Sequence, residues 1–172
     1  SQDVRPWIEL HNREFGPYPV FLGGVSMGAT TVLMAAGTPL PDNVRGILAD
    51  CGFSSPREIL TSVAKHRAHL PAFPILYLAN FWCRLLAGFD WMENSTVQAM
   101  ARNRLPVFFA HGQADDFVPW SMTQAAYDAA ACDKQLLLVP GAGHGRSYLV
   151  ERERYLHMLE DFLNRNLPAS ST

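Results

Sequence analysis

Ser26, set within Gly24-Val25-Ser26-Met27-Gly28, has the neighbours best suited to covalent chemistry in this sequence. G-x-S-x-G alone is a common string and carries little weight. Here an apolar run, Val20-Phe21-Leu22, precedes it and a helical pattern follows from Met27. A serine at such a sharp strand-to-helix turn is held in strained backbone geometry, with its hydroxyl exposed above the sheet. Strand and helix approach closely there, so the residues flanking the turn are expected to be very small, as Gly24 and Gly28 are. The turn also sets the Met27 backbone N–H beside the reacting oxygen, at a helix N-terminus that favours a developing negative charge.

A serine hydroxyl is a weak nucleophile and needs a base, which in turn needs an acid to orient it. Four of the histidines, His11, His66, His69 and His157, fall in helical patterns, where a solvated or packing role is the default. His111 closes a strand but stands too early in the chain to be the base. His144 lies in Pro140-Gly141-Ala142-Gly143-His144-Gly145, directly after the last strand. Its flanking glycines let the loop fold tightly enough to hang an imidazole over the serine. The acid is expected one strand earlier, where Asp115 and Asp116 are adjacent. Neighbours on a loop point different ways, so one of the two is expected to reach the imidazole. Asp50, at the end of an earlier strand, is a third candidate, whose plainer reading is a turn or cap carboxylate near the site.

These residues need a scaffold that carries strand ends to one place, and the chain alternates short apolar runs with helical patterns as a parallel α/β sheet does. A first helix carries Trp7, Ile8, Leu10 and Phe15 and ends at Gly16-Pro17. Val20-Phe21-Leu22 reads as a strand buried on both faces. Helix from Met27 to about Ala36, strand over Gly46-Ile47-Leu48-Ala49, and a helix opened by Pro56 and running towards His69 come next. A heavily aromatic helix over Phe73 to Gly88 and a short one over Thr96 to Arg102 complete an insertion between strands. Strand at Val107-Phe108-Phe109-Ala110, helix from about Ser121 to Ala131, and strand at Leu136-Leu137-Leu138-Val139 follow. One last helix is expected from about Tyr148 to Asn166, with Tyr155, Leu156, Leu159, Phe162 and Leu163 facing inward.

Composition narrows the function classes. A chain of 172 residues, 48% hydrophobic and 17% charged, suits one globular domain. With a formal net charge of -2 and scattered Lys and Arg, no basic stripe exists for a phosphate backbone, so nucleic acid is not an expected partner. Cys51, Cys83 and Cys132 are far apart, which suits neither a disulfide framework nor zinc, and fits buried thiols in a reducing, cytoplasmic setting. The greasiest stretch, Leu70 to Phe89, is interrupted by Pro71, Pro74, Asn80 and Arg84, so no membrane span is expected.

Four stretches in register resemble the α/β-hydrolase superfamily, and especially its bacterial serine esterase-like branch. They are Gly23 to Ala29, Ala49-Asp50-Cys51-Gly52, His111 to Pro119, and Pro140 to His144. The chain order Ser, Asp, His is also that of the superfamily. The resemblance covers almost the whole chain. It implies Asp115 as the acid of a Ser26–His144–Asp115 triad, since the family aspartate precedes Val-Pro as Asp115 precedes Val118-Pro119. It further implies hydrolysis of carboxylic esters, commonly with short acyl groups, through an acyl-enzyme and without a metal or organic cofactor. Peptidase, amidase and thioesterase chemistry share the triad, and a non-catalytic binding module could keep the same motifs. A haloalkane dehalogenase would carry an aspartate where Ser26 stands.

In such enzymes the serine-bearing turn, or elbow, follows the fifth strand of an eight-stranded sheet, whereas here it comes 26 residues from Ser1. The expected architecture is therefore a partial α/β-hydrolase fold, the C-terminal portion, with the N-terminal strands missing. A single domain over 1-172 is expected, its mostly parallel sheet flanked by helices, with a helical cap-like insertion at about 56-103. The insertion's aromatics Phe73, Phe81, Trp82, Phe89 and Trp91 read either as a cap over an acyl pocket or as ordinary packing core. The strand at Val20 is expected to present an unpaired edge, and hence self-association or pairing with the missing N-terminal half. The second oxyanion donor is expected in that half. Losing one donor costs on the order of 3 kcal/mol, so this chain alone is expected to be a poor catalyst.

Overall fold

A computed structural model describes residues 2–167. Residues 1 and 168–172 lie outside them. The elements run α1 (Val4–Phe15), β1 (Val20–Val25), α2 (Met27–Ala36), β2 (Val44–Asp50), α3 (Pro56–His66), α4 (Ala72–Ala87) and α5 (Thr96–Arg102). They continue with β3 (Val107–Gly112), α6 (Trp120–Ala129), β4 (Lys134–Val139), α7 (Ser147–Val150) and α8 (Arg152–Asn166). The four strands form one all-parallel sheet in the order β1-β2-β3-β4.

Alternation of side chains along the strands sorts the core into two layers. On one face Ile47, Ala49, Val107 and Phe109 pack with Ala29 and Leu33 of α2, Met100 of α5 and Ala126 of α6. On the other, Phe108, Ala110, Leu137 and Val139 pack with Phe162 of α8, and Tyr155 and Leu159 lean on this cluster from the same helix. β3 is buried along its whole length, which is why Val107 to Ala110 is a continuous apolar run.

β1 departs from the expectation of a strand buried on both faces. It is only half-buried, because it is the last strand of the sheet and, among the described residues, pairs with β2 alone. The final helix also departs from expectation. Glu151, at φ -123° and ψ 59°, divides it into α7 and α8. The break lets Ser147 bury itself beneath the site while α8 keeps Phe162 on the sheet.

Three helices, α3 to α5, fill the stretch between β2 and β3. Ser55 caps α3 by accepting the Glu58 amide at 3.1 Å, and Pro56 supplies the preset first turn. The helix stops at His66, short of the expected extent; His69 lies beyond it at φ +53°. The core reading of the insertion's aromatics fails for Phe73, Phe81, Trp82 and Phe89, each more than half exposed, and holds for Trp91, which is buried. Among the described residues no helix is long and apolar enough to cross a membrane.

Candidate active site

The carboxyl ends of β1, β3 and β4 bring Ser26, Asp115 and His144 together. Ser26 sits at φ +56° and ψ -116°, a strained conformation for a residue with a side chain, in the turn from β1 into α2. Its amide donates to the Asp50 carbonyl at 2.8 Å, which ties the turn to the end of β2. Met27 is the first residue of α2, and an amide there has no acceptor within the helix. The expectation that both elbow glycines must be small is half right. A Cβ on Gly24 would run into the backbone of Gly28 and Ala29, whereas a Cβ on Gly28 would meet open space.

His144 Nε2 lies 2.9 Å from Ser26 Oγ, and its Nδ1 lies 2.7 Å from Asp115 Oδ2. A neutral imidazole has one N–H, and a carboxylate can only accept, so the proton sits on Nδ1 and Nε2 is left to accept the serine hydroxyl. Phe117 packs its ring against His144 with centroids 5.1 Å apart and near-perpendicular planes. Gly145, at φ +63°, turns the chain immediately after the histidine.

Asp115 is buried and fully engaged. Its Oδ1 accepts the amides of Phe117 and Val118, each at 2.9 Å. Its Oδ2 accepts from His144 and from a second imidazole, His111 Nε2, at 3.1 Å. Asp116 points to the surface and pairs with Arg67 at 3.1 Å, so of the two adjacent carboxylates only Asp115 meets the imidazole. Gly112 holds the Asp115 and His144 loops together. A Cβ there would strike the Ala142 carbonyl, which itself accepts the Ala114 amide at 3.0 Å.

Asp50 is buried behind the site and makes no hydrogen bond to His144. Its carboxyl accepts the Ser147 hydroxyl at 3.2 Å, and burial pushes it above the usual carboxylate range. Cys51 beside it is buried at φ +46°. Its sulfur, a carboxylate oxygen of Asp115 and a ring nitrogen of His144 lie within 4.8 Å of one another, the spacing of a metal cluster. The donor chemistry is unsuited to one. Burial pushes the Cys51 thiol up to about 12, and the Asp115 and His144 atoms are already bonded to each other. His111 and Gly112 are the parts of the site that sequence reasoning passed over. The i, i+4 spacing of His111 and Asp115 around the strand end was the available signal.

No family model matches the sequence. The uncharacterized protein YqkD of Bacillus subtilis (strain 168) is 32% identical over 141 residues, which are 82% of this chain and 46% of that protein. The chain spans about half the length of the curated relatives it matches. Among solved structures, the Pyrococcus furiosus esterase Pf2001 superposes with a TM-score of 0.71 at 18% identity, covering 96% of this chain and 61% of the esterase. An acylaminoacyl peptidase of Pyrococcus horikoshii gives 0.67 at 18% identity, covering 99% of this chain and 28% of the peptidase. The fold is that of the α/β-hydrolases, and this chain is similar to a part of it. An esterase and a peptidase share the architecture, so likeness at this level speaks for the fold alone.

Proposed function

We propose that this chain carries the catalytic relay of a serine hydrolase acting on carboxylic esters, with short or hydrophobic acyl groups. The observation that carries the reading is the continuous path from Ser26 Oγ to His144 Nε2 at 2.9 Å and from Nδ1 to Asp115 Oδ2 at 2.7 Å. In this reading His144 takes the Ser26 proton as the serine oxygen bonds to the ester carbonyl carbon, while Asp115 holds the imidazole and stabilises its charge. The Met27 N–H, at the positive end of α2, stabilises the tetrahedral oxyanion. Collapse breaks the bond to the alkoxide, which leaves with the proton from His144. Water then repeats the sequence on the acyl-serine, losing its proton to His144 and releasing the acid.

The second oxyanion donor is assigned to protein beyond this chain. We assign a cap role to α3 and α4; α5 packs into the core through Met100. The support for the cap is Arg67, just past α3, which pairs with Asp116 and stacks 5.1 Å over Phe117, the ring that packs on His144. Exposure of the aromatics on α4 agrees with a lid better than with core packing. Likeness to an acylaminoacyl peptidase supports a second reading, amide cleavage by the same relay. Parallel assays of the complete protein on p-nitrophenyl acyl esters and acylamino-acid anilides separate the two. The expected result is an ester preference of at least a hundredfold; anilides cleaved as fast as esters would support the second reading.

A further inference from the structure

We propose that His111 is a positioning residue for this relay, a second imidazole that fixes the Asp115 carboxylate by donating to the same oxygen as His144. The inference rests on the reading of Ser26, His144 and Asp115 as the relay and assigns a role to a fully buried histidine that the reaction itself does not use.

The ring's surroundings fix its proton. His111 Nε2 lies 3.0 Å from the Val118 carbonyl and 3.1 Å from Asp115 Oδ2, and both of these can only accept. A lone pair at Nε2 would be repelled by both, so Nε2 carries the hydrogen. Burial holds the imidazole below the usual histidine range, which leaves the ring neutral and Nδ1 as an acceptor. The Thr123 hydroxyl of α6, 2.7 Å away, offers its one proton to Nδ1 and to the Gly52 carbonyl together. That same hydroxyl lies 3.0 Å from the Gly52 carbonyl, so Thr123 is seated between the β2 end and the imidazole. The ionisable groups facing the ring are Asp50 at the end of β2, Asp115 on the loop after β3, and His144 across that carboxylate.

Two consequences follow for Asp115. With four N–H donors on its two oxygens, the carboxylate cannot swing as His144 charges and discharges. A second donor on Oδ2 also spreads the negative charge, which weakens its pull on the His144 Nδ1 proton. Without His111, that pull strengthens and the carboxylate loses its lateral support.

The test compares His111→Leu, His111→Gln and Thr123→Val in the complete protein, with two readouts. One is the acid limb of kcat/KM on a p-nitrophenyl ester. The other is the low-field proton resonance of His144 Nδ1–H, which needs no turnover. In His111→Leu the resonance is expected to move downfield, the acid limb to move to higher pH, and kcat to fall about tenfold with KM little changed. His111→Gln, whose amide can place an N–H where Nε2 stood, should bring both readouts back towards wild type. A folded His111→Leu protein with unchanged resonance and acid limb overturns the assignment, as does a folded Gln variant indistinguishable from Leu. Should the Leu protein not fold, Thr123→Val, which strips the donor from Nδ1, must shift the resonance from its wild-type position; no shift overturns the proposal. If the complete protein lacks esterase activity, the functional reading fails on its own, while the resonance still decides the place of His111.

Discussion

Gly24 and Gly28 meet backbone to backbone across the Ser26 turn, close enough that a Cβ on Gly24 would overlap the carbonyl of Gly28. The strained backbone of Ser26 is held by this approach and by its amide bonded to Asp50. Gly24→Ala should therefore destabilise the fold by about 3 kcal/mol or abolish it. Gly28→Ala, with room for its methyl, should stay within about 1 kcal/mol. Denaturant unfolding of the two variants checks this; equal losses would mean that the approach is not what holds the turn.

Asp115 and Asp50 are both buried carboxylates near His144, yet only Asp115 bonds to it. Asp115→Asn should lower kcat by about 10⁴ through the wrong imidazole tautomer, whereas Asp50→Asn should stay within about tenfold of wild type. Steady-state ester hydrolysis by the complete protein distinguishes them, and a larger loss at Asp50 would reverse the assignment.

Asp50 also predicts a pH-dependent stability. Its carboxyl is raised in the fold, so the native state holds its proton to higher pH than the unfolded chain does. Stability from this group is then present at low pH and is lost as pH rises from about 3.9 through the folded value. Asn in its place avoids that loss and can still accept from Ser147. Asp50→Asn should unfold at a higher temperature than wild type at pH 8, with the gap closing towards pH 4. His111, lowered by burial, acts with the opposite sign and is common to both proteins. Thermal melts over pH 4 to 8 read the difference; a gap that widened on acidification would contradict the sign.

On α4, Leu86 is 79% exposed and Phe81 57%, while Phe108 in β3 is 1% exposed. Leu86→Ala and Phe81→Ala should change stability by less than about 0.5 kcal/mol, and Phe108→Ala should cost about 3 to 5 kcal/mol. Chemical denaturation is the measurement. A loss above 2 kcal/mol at Phe81 would return these aromatics to the core.

Among the described residues β1 pairs with β2 alone, which predicts association. Sedimentation equilibrium of the 172-residue chain should show concentration-dependent assembly. A soluble monomer at every concentration would contradict it.

The parts of the site legible in the sequence were those marked by local chemistry. Ser26 stood between a strand and a helix pattern, and His144 among glycines whose turn the chain does take at Gly145. The choice of Asp115 over Asp116 came from resemblance, because adjacent loop residues look alike until backbone amides and Arg67 divide them. Long-range relations were not legible. Gly112 is small because the Ala142 carbonyl crosses it, and that loop lies thirty residues on. His111 reads as too early in the chain to be the base, and its contacts to Asp115 and to Thr123 of α6 join separate elements. Aromatic periodicity in α4 fitted core and lid equally, since periodicity reports a face and not what covers it.

Reaction of the complete protein with a fluorophosphonate, followed by mass spectrometry of its peptides, tests the central claim most directly. The relay predicts a single phosphonylated serine at Ser26, absent in Ser26→Ala and strongly slowed in His144→Ala. A folded protein left unlabelled at Ser26, or labelled there equally fast without His144, would contradict it.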